Sequence, residues 1–566
     1  MGKFNLTNEP WISVIVNEQG ENKLVSLKEL FANAHHYIEL GGDTKTQDFA
    51  ILRVLLSVLH TVFSRFDAAG SAYDYFEIDE KFVPESEVDE SEEYENSLME
   101  TWQELWNQGY FSEIVIKYLE KWENRFYLFD EEFPFFQVKK SDISEDKISK
   151  SKASSVSGKN INRLISESNN KAALFSPKYD KKNNKEILTA DEIARWLITF
   201  QGYTGLSDKV IFGKDKYKAS KGWLFDLGGL YLVGSNLFET LMLNLVLVHP
   251  EKNIVMNHQK PSWEISAEEK IKAISSTIPI DNLAELYTSW SRAIYIDPQT
   301  DLQKPFSFEI VKLPDLLHED HFIEPMTVWK YNTAGDVKER YTPKKHQLNQ
   351  SMWRSFGLIA LPTKEKQNQH QPGLIQWINL IKNIIGSYQI SLIGISMKDD
   401  ANATSWVPVD EIYDQLTMSN FILTDIQENQ WVTRINDAVE ETKKAINFTY
   451  RSFLKDINEI RNSNNNGFID ERVMELFYYI DQPFREWLLN IKANDEKDAK
   501  ILEWYQSLYK LISEVASSII ENASTRDYMG VIVGEKPNDS IKNIATAHNR
   551  FMYFLKKDLK VAQNEK

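Results

Sequence analysis

The sequence predicts an α+β protein, with a large mixed α/β N-terminal domain over residues 1–405 followed by a C-terminal four-helix bundle over 406–566. Three observations predict it. At 566 residues the chain exceeds the size at which a single hydrophobic core keeps growing, so two or three domains are expected. Over the first 390-odd residues, short extended apolar runs alternate with helical patterns. Beyond them, apolar residues recur at helical spacing in four long stripes separated by polar breaks.

The opening reads as a hairpin, with Trp11 to Val16 extended, a turn over Asn17 to Asn22, and a return over Lys23 to Ser26. Ser26-Leu27-Lys28-Glu29 has the form of a helix-opening capping box. Thr46 to Phe66 is a second helix, apolar around most of its circumference through Leu52, Leu55, Leu56, Leu59 and Phe63, and so belongs in a core. The acidic run Glu85 to Glu95 reads as a solvated loop, and helical patterns resume from Ser97 to Lys121. After Phe133-Pro134-Phe135-Phe136 the Ser, Lys and Asn content climbs and periodicity vanishes until about Ala172. This is the composition of a mobile loop.

Asp191 to Phe200 and Leu237 to Leu247 read as helices around a Gly- and Lys-containing loop at Gly202 to Gly222. Strands are expected at Phe306 to Val311, Met326 to Tyr331 and Ile390 to Ile395. The four stripes of the bundle run from Trp431 to Ile457, Val473 to Ile491 (with a kink expected at Pro483), Ile501 to Ile519, and Ile541 to Leu555.

Composition narrows the chemistry. The chain has no cysteine, which removes disulfides and thiolate metal sites and suits a reducing cytoplasm. The N-terminus lacks the basic start and apolar run of a signal peptide, and no long apolar run suggests a membrane span. The net charge of −18 argues against nucleic acid on average, but it is unevenly spread. Lys139 to Lys185 holds twelve basic residues against five acidic, and Thr204 to Gly222 holds five lysines against two aspartates. Two basic loops in an otherwise acidic chain are the footprint of a phosphate-tracking surface.

No catalytic motif is visible. A Walker loop is absent, since Gly213-Lys214 is followed by Asp215, and there is no G-x-S-x-G elbow or dinucleotide fingerprint. His318-Glu319-Asp320-His321 groups metal-ligand residue types but lacks the HExxH form, so a solvated loop is expected there. His60 and His548 sit on apolar helical faces and read as hydrogen-bonded core or boundary histidines. No metal and no cofactor are expected.

Several segments in order resemble the CasA family, the large subunit of the type I-E CRISPR Cascade complex. They are FNLTNEPWISVI with VSLKELF at the start, FPFFQV at Phe133 to Val138, NLFETLMLNLVLVHP near residue 240, KPSW at Lys260 to Trp263, and AIYIDP ahead of Lys304. The resemblance implies the same fold and no enzymatic activity. It implies recognition of a protospacer-adjacent motif in double-stranded DNA from the minor groove, promotion of duplex opening for R-loop formation, and support for recruitment of the helicase-nuclease. The implied partners are the other Cascade subunits, the CRISPR RNA, target DNA and that helicase-nuclease, in the cytoplasm and with no membrane.

The resemblance also assigns residues. Lys304, ahead of Phe306-Ser307-Phe308, matches a lysine finger reaching minor-groove acceptors. Lys398, Asp399, Asp400, Ala401 and Asn402 match a wedge, with two aspartates where the family pattern is amide-rich. Gly205, Gly213 and Lys214 match a glycine-bearing loop, and Phe175, Lys171 and Lys178 match a loop that meets the Cascade backbone and the RNA 5′ end. Some relatives carry a Cys-rich zinc insertion, for which Asp297 to Lys304 is too short and Cys-free. On the residues alone two other classes stay open, an enzyme with a site assembled from scattered Asp, Glu and His, and a structural scaffold with a solvated lysine loop.

Overall fold

The computed structural model describes residues 2–89, 91–161, 186–205, 210–214, 221–276, 279–364, 366, 368–401, 408–463, 465–534 and 540–561. Two compact units emerge. One comprises Met1–Leu348, Lys364–Ile384 and Ser391–Gln415, and the other Asn349–Thr363, Ile385–Ile390 and Leu416–Lys566.

The first unit mixes helices and small sheets. Its hairpin pairs Ile12–Ile15 with Asn22–Val25, and Glu39–Leu40 flanks the other edge. Ser26 caps the next helix by accepting from the Glu29 amide, but Glu29 does not complete the reciprocal box, because its carboxylate takes Lys23 instead. The Lys45–Phe63 helix is the core of the unit, packed by Ala190–Tyr203 and Leu283–Tyr287. By length and composition this helix would pass for a membrane span, yet its most apolar window is wholly buried inside the protein. The acidic run is only partly loop, since a helix already begins at Ser91 and runs to Gln108.

Two three-stranded sheets carry the residues singled out in the sequence. Ser307–Lys312 lies between Ser154–Ser157 and Arg292–Tyr295, antiparallel to both, with Val156 opposite Phe308 and Ile294 opposite Ile310. The polar tract after Val138 is therefore not loop throughout. Ser154–Ser157 becomes a strand because a neighbour supplies its ladder and Val156 alone turns inward, a pattern too short for periodicity to reveal. The second sheet places Gln389–Asp399 between Gly229–Val233 and Pro408–Ser419, with Leu392 opposite Leu232 and Ile395 opposite Gly229.

The second unit is helical. Trp431–Lys444, a π-helical turn over Ala445–Tyr450 and Arg451–Ile460 form one continuous rod. The π turn inserts a residue and re-phases the apolar stripe, so that Ile446, Tyr450 and Phe453 all stay buried. Asn466–Leu489 is a single helix with Pro483 inside it, Lys497–Glu521 follows, and Ile544–Asp558 closes the bundle. Ile541 lies outside the last helix, in a small hairpin pairing Val531–Val533 with Ser540–Lys542. Trp353, on the 349–363 segment, stacks on Phe484 at 4.3 Å between ring centres and donates its indole N–H to Asp481 at 2.7 Å.

Candidate nucleic-acid interface

Lys304 closes a tight turn. Asp297 and Asp301 accept successive backbone amides, and the Lys304 amide itself donates to the Asp301 carbonyl at 3.0 Å. Immediately after it, Phe306 and Phe308 turn inward, 5.7 Å apart, with Phe308 edge-on to Phe200. This aromatic anchor fixes the root of the turn while the Lys304 side chain stays 76% exposed. Its ammonium rests 3.1 Å from the Asp301 carboxylate. The Gln303 amide and the Lys304 ammonium hold that carboxyl below the usual range.

The glycine loop has a narrow neck. The Gly222 amide donates to Thr204 O at 2.9 Å, and a Cβ on Gly222 would fall 2.2 Å from the Gly202 carbonyl oxygen, so only glycine fits. The next residue, Trp223, donates its indole N–H to buried Glu324 at 2.6 Å. His318 and His321 are not a solvated loop, because both pack on Trp223, His318 stacked at 4.0 Å between ring centres and His321 edge-on. No group of three or more metal-ligating side chains occurs among the described residues.

Within the loop, the Gly205 carbonyl accepts from the buried Arg292 guanidinium at 2.7 Å. Val210 and Phe212 bond the backbone of Lys312, and Gly213, at positive φ, donates to Lys147 O at 2.7 Å. Lys214 is exposed, but its ammonium is held by the carbonyls of Glu145 and Ile148. Segments of the two basic stretches, 145–149 and 211–214, are thus in direct contact.

The wedge stem is the end of the Gln389–Asp399 strand. Lys398 is exposed and Asp400 half-buried, while exposed Ala401 turns the chain at positive φ. Both oxygens of Asp399 are engaged, Oδ1 by the Ala401 amide at 2.9 Å and Oδ2 by the Lys345 ammonium at 3.0 Å. Lys345 also lies 3.5 Å from Asp226, which pairs with Lys221 at the loop neck. Burial works to raise the Asp226 carboxyl, but Lys221, Lys345 and His318 outweigh it and hold it below the usual range. A cleft of about 700 Å³ opens over this cluster, lined also by Lys330 and Lys344.

The glycine-loop neck and the wedge stem are therefore brought together. Lys304 is not. It precedes Ser307–Lys312, while the glycine loop docks on Lys312, so the strand's length of roughly 17 Å lies between them. Asn402, Phe175, Lys171 and Lys178 lie outside the described residues. Sequence reasoning missed Asp226 and Lys345, for which the only local signal is the Lys344-Lys345 pair following a strand.

The family model of CRISPR-associated protein Cse1 matches residues 5–515. A curated relative, CRISPR-associated protein CasA/Cse1 of Thermus thermophilus, is 26% identical over 366 residues, 63% of this chain and 60% of that protein's length. The fold is similar to that of Thermobifida fusca Cse1, with 22% identity, 99% of both chains covered and a TM-score of 0.77. It is also similar to a chain of a CRISPR RNA-guided surveillance complex, with 15% identity, 98% of this chain and 99% of that one covered, and a TM-score of 0.65. With the family model spanning both the mixed unit and most of the helical one, this chain belongs to the Cse1 family of CRISPR-associated proteins.

Proposed function

We propose that this chain is the non-catalytic large subunit of a type I-E CRISPR surveillance complex. In that role it reads the protospacer-adjacent motif of double-stranded DNA through the minor groove, promotes duplex opening and R-loop formation, and supports recruitment of the helicase-nuclease. Its partners are the other Cascade subunits, the CRISPR RNA and target DNA.

The observation that carries the reading is the presentation of Lys304. An exposed ammonium sits on a turn rooted by two buried phenylalanines, and the side chain it must leave to reach DNA is a surface carboxylate of its own turn. An exposed pair of this kind is weak and screened by salt, so N3 and O2 acceptors in a minor groove compete with it readily. Because those acceptors distinguish base pairs only degenerately, loose motif preference follows. Sequence specificity then comes from RNA pairing, as in other RNA-guided effectors.

The test is duplex binding by the RNA-loaded complex with and without this chain, at several salt concentrations and with randomised flanking motifs. Motif-dependent, salt-sensitive binding conferred by the chain, and weakened by Lys304→Ala without loss of folding, is the expected result. A chain that neither joins the complex nor changes binding overturns the reading.

A further inference from the structure

The wedge stem and the glycine-loop neck are 173 residues apart in sequence, from Asp226 to Asp399, yet one side chain joins them. We propose that Lys345 is a positioning residue that couples the glycine-loop neck to the wedge stem through Asp226 and Asp399, so that neck and stem hold a fixed mutual arrangement. The inference rests on the proposed reading of the glycine loop and the wedge as DNA-facing, and it goes beyond it by assigning roles to Lys345, Asp226 and Asp399.

The geometry is that of a built clamp. Lys345 lies 3.0 Å from Asp399 and 3.5 Å from Asp226, and its ammonium sits 4.2 Å from the centre of the Phe225 ring. Asp226 pairs on its other oxygen with Lys221, whose own amide donates to Asp315 at 3.3 Å. The charges alternate along the row Lys221, Asp226, Lys345, Asp399, and all four side chains are at most 30% exposed, so the row is screened less than a surface network.

The backbone beneath Lys345 is equally fixed. The Lys344 amide donates to Val328 O at 2.8 Å, and a Cβ on Gly228 would meet the Lys344 carbonyl oxygen at 1.9 Å, so the two backbone segments touch where only glycine permits it. The His346 amide donates to Ser396 Oγ, which donates in turn to Leu227 O. Lys345 therefore projects from a segment clamped between the neck and the wedge strand.

This arrangement also accounts for an aspartate in a wedge that approaches DNA. An unpaired carboxylate there would be repelled by phosphate. With both oxygens committed to Lys345 and the Ala401 amide, Asp399 serves as the anchor of the wedge.

The experiment compares wild type with Lys345→Met, Asp226→Asn and Lys345→Arg. Methionine keeps the aliphatic packing on Phe225, and arginine keeps the charge. In the isolated chain, Lys345→Met and Asp226→Asn are expected to speed hydrogen exchange at both the Gly222 and Ala401 amides, with the melting temperature little changed. In the RNA-loaded complex, each lowers discrimination between motif and scrambled duplexes roughly fivefold or more. The double variant is expected to be no worse than either single one. Lys345→Arg restores wild-type behaviour, and the salt dependence of binding keeps its slope.

Exchange that rises only near Ala401, or not at all, overturns the coupling. A slope flattened by about 0.9 in Lys345→Met would show a direct phosphate contact and overturns it as well. A wild-type complex without motif discrimination overturns the DNA-facing reading, whereas wild-type discrimination retained by Lys345→Met overturns this inference alone.

Discussion

Arg53 meets Glu324 with both guanidinium nitrogens on both carboxylate oxygens, at 2.9 and 2.7 Å, and neither side chain is more than 2% exposed. The same carboxylate accepts the Trp223 indole, so a core ion pair pins the residue that follows the glycine-loop neck. Tyr287 covers the guanidinium face at 4.1 Å.

Removing one member of such a pair strands a buried charge. Arg53→Met is expected to cost about 3–5 kcal/mol, read as a shift of the urea midpoint. Replacing both partners with apolar residues of similar volume is expected to cost less than that single change.

Asp48 titrates against the usual trend. Burial pushes its carboxyl up to about 7, against the pull of Lys45 and of the Gly42 amide that donates to it. The folded chain keeps this proton through a range in which an unfolded aspartate has already lost it. Its contribution to stability is complete below about pH 4 and drains away as pH rises through about 7. Asp48→Asn keeps an acceptor for Gly42 and is expected to flatten the dependence of unfolding free energy on pH between 5 and 8.

His60 works in the other direction. It is fully buried, neither ring nitrogen has a hydrogen-bond partner among the described residues, and burial lowers its pKa to about 3. The stability tied to its neutral form is present above about pH 6.5 and is lost as pH falls toward 3. His60→Leu is expected to stabilise the protein at pH 7 by about 1–3 kcal/mol, the cost of an unsatisfied buried polar group, and by more at pH 5.

In the helical unit, Asp527 takes a two-pronged contact from Arg461 at 2.9 and 3.0 Å and also caps the Thr525–Met529 helix through the Ser524 amide. Arg461 leads the interactions that lower its pKa to about 2. This stability is present above about pH 4 and is lost as pH falls through 2. Asp527→Asn is expected to cost about 1–2 kcal/mol, with faster hydrogen exchange confined to residues 525–529 and the adjoining hairpin.

The bundle was legible because period 3.6 persists over whole helices, and Trp431, Ile435 and Val439 announce a buried face whatever packs on it. The place of Lys304 ahead of Phe306-Ser307-Phe308 was legible from the family resemblance, but its exposure comes from the turn at Asp301, since strand alternation alone would set it on the same face as the two buried phenylalanines. The coupling at Lys345 was not, because Lys221, Asp226, Lys345 and Asp399 share no period and meet only through tertiary packing. His60 reads correctly as a core residue, but its missing hydrogen-bond partner is a property of the surrounding helices. Gly222 shows its necessity only when Gly202 is seen against it.

The position of Trp353 bears on where the helical unit can be cut from the rest of the coding sequence. The helical unit is assembled from three stretches of chain, and the aromatic plug against Phe484 comes from a stretch encoded some sixty codons upstream of Leu416. A fragment starting at Leu416 would carry all four long helices and still lack the ring that seals Phe484 and the indole that engages Asp481. Recombination that exchanged only the 3′ end of the coding sequence would therefore deliver a bundle with an open apolar socket, prone to clumping. A working exchange has to carry the Trp353 stretch with it.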